Sequence, residues 1–172
     1  MTVPECESLA AQLVDTNTPM RRRMEIASEL RDSAESNRDF AFYDKYLGVF
    51  IPALVQILGE EKNIVFTKDN SEQRFRHTLL AYLQRLPHSE PFRQYEAKVL
   101  ELMVKLLKVE NEDNALLCIK IMIDGFRSHK DQAEPFVEPF LELVKQMYAN
   151  LKGVVEKEWG SPGGKQVSCV CC

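Results

Sequence analysis

The feature that most constrains the fold is a helical apolar stripe that returns at a long and nearly regular interval. An aromatic residue followed by apolar residues four, seven and eight positions later occurs at Phe50-Leu54-Ile57-Leu58, Tyr95-Val99-Leu102-Met103 and Phe136-Phe140-Leu143-Val144. That spacing gives an α-helix one apolar face. The stripe by itself is common, and Phe75-Leu79-Tyr82-Leu83 shows it too. The interval carries more information. Phe50 to Tyr95 is 45 residues and Tyr95 to Phe136 is 41, which brackets the roughly 40–47 residue period of HEAT and armadillo repeats.

Each interval has room for a second helix. The segment SEQRFRHTLLAYLQRL, opened by Ser71, fills one, and EDNALLCIKIMIDGF after the acidic turn ENED fills the other. A further helix, PMRRRMEIASELRDSAES, has Thr18 as its expected N-cap and Pro19 at the first helical position, where a missing N–H costs nothing. With only 7 Gly and 8 Pro in 172 residues, the composition favours helices over turn-rich β structure. The expected class is all-α: an α-solenoid of about three HEAT-like antiparallel helix pairs plus a short N-terminal helix near residues 5–15. The pairs are predicted as 19–37 with 43–59, 71–86 with 91–109, and 112–129 with 133–157. The longer connection 60–70 carries an apolar triplet, Ile64-Val65-Phe66, expected to dock back on the helices.

Charge and length exclude several classes of function. A net charge of −4 supplies no general field for phosphates, and the run Arg21-Arg22-Arg23 is read as a solvated helix face, so no direct nucleic-acid binding is expected. No apolar run approaches the ~20 residues of a spanning helix, and the first residues lack a basic start, so the chain is expected to be soluble and intracellular. Cys6 and Cys118 are isolated and three further cysteines crowd the last four positions, which is no disulfide framework.

No chemistry is assembled by residue spacing. The three histidines have no Cys or His partner at ligand spacing. His77 reads as a surface residue beside Arg74 and Arg76, and His88 and His129 fall at a turn and a helix end. The abundant carboxylates sit at helix starts and turns, where they complement the helix dipole. Catalytic, cofactor-binding and metal-site residues are therefore all expected to be none, and the chain is expected not to be an enzyme.

Residues 1–159 are read as the helical repeat segment and 160–172 as a flexible Gly/Pro/Cys tail. Its Cys169, Cys171 and Cys172 are weak candidates for lipidation: a C-terminal Cys is not a usual C-a-a-X ending, and one lysine is no polybasic second signal. Gln166-Val167-Ser168 is also what an in-frame exon end plus a splice donor would encode, which makes a translated intron the competing reading of the tail.

Several stretches carry a family resemblance: VDTNTPMRRRMEIASEL, YLGVFIPALVQIL, SEQRFRHTLLAYLQRLPHSEPFRQYEAKVLELMVKLLKVENEDNALLCIKIMID and FLELVKQMYANLKGVV. In that order they resemble the N-terminal start of the transformation/transcription domain-associated family, kinase-related pseudokinase scaffolds of SAGA-type histone acetyltransferase complexes. The resemblance runs from about Leu9 to Trp159. It implies a non-catalytic HEAT-repeat scaffold segment in the nucleus. The implied partners are the following helical repeats of a full-length scaffold, transcription activators and coactivator subunits, and no functional residue carries over. The alternative is a free-standing small HEAT-type adaptor, tethered to a membrane by C-terminal prenylation.

Helix 133–157 is apolar on more than one side, which one neighbour cannot cover. Val137, Leu141, Val144, Tyr148 and Leu151 form the line expected to remain on the surface as an interaction face.

Overall fold

A computed structural model describes residues 2–39, 41–60 and 70–159; of residues 38–39 and 150–159 only the backbone is described. The triplet Ile64-Val65-Phe66 and the tail 160–172 lie outside the described residues. Among the described residues seven α-helices follow one another: α1 Val3–Val14, α2 Met20–Ser33, α3 Tyr43–Gly59, α4 Ser71–Arg85, α5 Arg93–Leu106, α6 Glu112–Ser128 and α7 Lys130–Trp159. Short 3-10 turns at Ser36–Asp39 and Glu90–Phe92 precede α3 and α5. No strand occurs among the described residues, and no described helix is long and apolar enough to cross a membrane. The all-α repeat architecture expected from the stripe interval is present.

Local chemistry sets the helix starts. The Thr2 N–H donates to the Glu5 carboxylate at 2.6 Å, closing the first turn of α1. Asn70, one residue before the expected Ser71, caps α4 by accepting from the Glu72 and Gln73 N–H groups through its side-chain oxygen. Asn111 does the same for α6 through the Asn114 N–H. At α2 the cap position is Pro19 rather than Thr18, a shift of one residue at a boundary where the two geometries differ little. Pro52 lies inside α3 without delaying its start.

The chain divides into two compact units, Met1–Phe136 and Val137–Cys172. Within the first, the helices form two layers. Helices α1, α3 and α5 pack in sequence on one side and α2, α4 and α6 on the other, with α1 against α2, α3 against α4 and α5 against α6 between the layers. Three pairs and one extra helix are thus present, but the phase differs from the expected pairing. The helix near 5–15 is a full member of the first pair, and α2 packs on α4 rather than lengthwise on α3. A sequence period fixes the length of a repeat and says nothing of where the repeat begins, so either phase satisfies the 41 and 45 residue intervals.

The core of this unit is apolar and continuous, with Leu13, Ile26, Leu30, Phe50, Leu54, Leu79, Val99 and Met103 among its fully buried side chains. Of the leading residues of the three stripes, Phe50, Leu54 and Val99 are buried; Tyr95, Phe136 and Phe140 are half-buried. Some of the polar groups taken inside are bonded to one another. Tyr46 on α3 and Tyr82 on α4 share a hydrogen bond of 2.6 Å, and the Asn37 side-chain amide donates to the Tyr46 hydroxyl at 2.7 Å. Burial pushes the Tyr46 phenol up to about 12, with its hydrogen bonds opposing that shift.

The basic run is not wholly solvated. Arg21 is exposed and Arg22 half-buried, but Arg23 is buried. Its Nε donates to the Leu13 carbonyl at 2.8 Å and its guanidinium lies 4.5 Å from the centroid of the Phe75 ring. Three adjacent residues span most of one helical turn, so one of them had to face the neighbouring helices, and arginine can do so when its donors and its flat face are both used.

Candidate functional site

Two places on the chain have features that folding alone does not account for. The first is the apolar line on α7. Val137, Leu141, Val144 and Tyr148 are all exposed, Tyr148 at 75% and Leu141 at 45%. Their spacing of four, three and four residues aligns them along one side of the helix. Met147 is exposed beside them, whereas Leu143 on the adjacent line is buried. Glu142 and Lys145 pair with each other between these positions. Leu151 continues the helix, but its side chain lies outside the described residues, as do Cys169, Cys171 and Cys172.

The second place was not legible from spacing. His88, in the connection between α4 and α5, and His129, at the end of α6, converge on Glu96 in the first turn of α5. Nδ1 of His88 stands 2.9 Å, and Nδ1 of His129 2.8 Å, from the same carboxylate oxygen, Oε2. Glu96 is completely buried and both rings are nearly so. The one oxygen therefore meets both ring nitrogens, while Oε1 of Glu96 and Nε2 of His88 are buried without a hydrogen-bond partner among the described residues. One ring nitrogen from each histidine and one carboxylate oxygen lie within 4.8 Å of one another, close enough for a single cation.

The local sequence explains how a carboxylate comes to be there. Glu96 shares the inward face of α5 with Val99, Leu100 and Met103, all fully buried, at the three, four and seven residue spacing of an apolar stripe. On α6 opposite, Gly125 leaves the room: a Cβ there would meet Glu96 Oε1 at an impossible distance. A glutamate in register with an apolar stripe was the available signal. The second half of it, Gly125 on another helix, required the fold. His88 and His129 lie at the turn and helix end assigned to them, yet the structure gives them a common partner 33 residues from one and 8 from the other. His77 is exposed, as expected, with Nδ1 2.9 Å from the Asn114 side-chain oxygen.

Beside His88 a groove of about 510 Å³ opens, lined by Glu35, Gln84, Arg85, Asp124 and Ser128 among others. Two of those are carboxylates, so the approach to the buried cluster is polar.

Comparison with known proteins bears on the whole chain. It is 30% identical over 148 residues, 86% of its length, to the probable transcription-associated protein 1 of Dictyostelium discoideum. It is 28% identical over 152 residues, 88% of its length, to the transformation/transcription domain-associated protein of Homo sapiens. With the SAGA complex/NuA4 acetyltransferase complex subunit TRA1 of Saccharomyces cerevisiae, identity is 27% over 159 residues, 92% of the chain. The chain spans 3–4% of the length of these relatives. No family profile and no solved structure matches it. By these similarities, which extend over most of an all-helical repeat fold, the chain is a relative of the transformation/transcription domain-associated family.

Proposed function

We propose that the chain is a non-catalytic packing and interaction segment of a transcription coactivator in the nucleus, working as part of an acetyltransferase assembly of the kind named for its Saccharomyces relative. The observation that carries this reading is the line Val137, Leu141, Val144 and Tyr148, left exposed along α7. In a helical repeat array each pair covers the next, and an uncovered apolar face is the surface a further pair or a protein partner fits. The area such a line presents is of the kind that soluble monomers keep small. The partners that fit are further helical repeats, coactivator subunits and transcription activators. The reading requires no direct contact with nucleic acid, in keeping with a net charge of −4.

The test is replacement. The stretch of the Saccharomyces subunit that aligns with this chain is exchanged for it, and the assembled acetyltransferase complexes are purified and assayed. Growth with normal assembly supports the reading if a Leu141→Glu, Tyr148→Glu version assembles poorly. Normal assembly of both versions, or of neither while the parental stretch works, contradicts it.

A further inference from the structure

We propose that His88, Glu96 and His129 form a binding site for one divalent transition cation of the zinc class, tying the α4–α5 connection and the end of α6 to α5. Three observations converge on it. The three side chains come from separate elements and meet below 3 Å at one carboxylate oxygen. All are nine-tenths buried or more. Two of their polar atoms, Glu96 Oε1 and His88 Nε2, have no hydrogen-bond partner among the described residues, an arrangement that native interiors rarely keep without a further ligand or water.

The donor set selects the ion. Two imidazole nitrogens and one carboxylate oxygen suit zinc, and by the general affinity order also cobalt, nickel and copper; calcium and magnesium take oxygen sets. The distances suit it as well. Ligand atoms held at about 2.0–2.1 Å from one ion, at angles between octahedral and tetrahedral, are roughly 2.9–3.4 Å apart; the two nitrogen–oxygen separations of 2.8 and 2.9 Å are close to that range, and all three ligand atoms lie within 4.8 Å of one another. Each imidazole can offer one ring-nitrogen lone pair to the ion. The cation's charge would also offset that of the buried carboxylate. A polar groove bordered by Glu35 and Asp124 runs to His88, giving a hydrated ion a path in and leaving a coordination position for water. Gly125 completes the site by leaving space for Glu96 Oε1.

The experiment uses the 172-residue chain with Cys169, Cys171 and Cys172 changed to Ser, so that tail thiols cannot bind the ion. After chelation and dialysis, zinc chloride is titrated at pH 7.5 by calorimetry, thermal unfolding is followed, and the zinc X-ray absorption fine structure is recorded. The site predicts one zinc per chain, a raised Tm, and a first shell with two imidazoles and no sulfur. His88→Ala, His129→Ala and Glu96→Gln each lose the one-to-one uptake, whereas His77→Ala keeps it. Absence of stoichiometric zinc binding overturns the proposal, as does uptake that persists in a His88→Ala, His129→Ala double variant. Should those variants unfold, the spectrum of the zinc-loaded parent decides: a shell lacking two imidazoles overturns the site.

Discussion

Arg76 on α4 and Glu110, in the turn between α5 and α6, form a buried ion pair in which Arg76 Nε donates to Glu110 Oε1 at 2.7 Å, the two side chains 2% and 0% exposed. The same guanidinium donates to the carbonyl of Leu58 at 2.9 Å and that of Ile57 at 3.4 Å, satisfying the otherwise open end of α3. Glu110 in turn accepts from the Asn114 side chain at 2.7 Å. One arginine thus links two pairs across their junction.

Removing one partner of such a pair strands the other charge in the interior, so Arg76→Ala should destabilise by about 3–5 kcal/mol. Exposed Arg21, whose ion pair with Glu25 is solvated, should tolerate the same change with no resolvable shift. A joint replacement of Arg76 by Met and Glu110 by Gln should recover part of the loss. Urea denaturation of the four proteins checks this; equal midpoints for Arg76→Ala and Arg21→Ala would refute it.

The apolar core makes a parallel prediction. Leu79 and Leu102 are buried at 0% and 5%, and truncation to Ala should cost ~2–5 kcal/mol each through lost contacts and a residual cavity. Arg23→Ala should cost about 1–3 kcal/mol, because it leaves the Leu13 carbonyl without its donor. The same denaturation series measures all three.

Thiol and phenol burial sets the alkaline limit. Desolvation pushes Cys118 from 9.0 up to about 12 and Tyr46 from 10.0 up to about 12. Both groups are neutral in the fold and lose their protons earlier in the unfolded chain. Stability from them is therefore fully present below about pH 9 and declines as pH rises from 9 through 12. Unfolding midpoints should be nearly equal at pH 8 and 9 and fall in order at pH 10 and 11. In the tail-serine background, Cys6 and Cys118, both buried, should react with Ellman's reagent at pH 8 only after denaturant is added; fast labelling of the native protein would show that the core opens.

The helical class was readable because it rests on local periodicity, as Phe50-Leu54-Ile57-Leu58 and its counterparts illustrate. What escaped was long-range. The pairing phase depends on whether α2 meets α3 or α4, a contact that no local signal encodes. The fate of Arg23 depends on Leu13 and Phe75, on other helices. The His88, Glu96 and His129 cluster needed three elements to meet, and only Glu96, a charge in the inward register of α5, left a trace in the sequence. The α7 line was legible for the opposite reason: an excess of apolar residues around a helix shows in its sequence whether or not a partner is known.

That line is also where the account is tested most directly. Sedimentation equilibrium and ANS fluorescence should be measured on the tail-serine chain and on its Leu141→Glu, Tyr148→Glu variant, with circular dichroism to confirm equal helix content. An exposed apolar face predicts that the parent self-associates or binds the dye and that the variant does neither while remaining folded. A parent that stays monomeric at high concentration without binding dye would contradict the interaction-segment reading and favour a closed, free-standing adaptor.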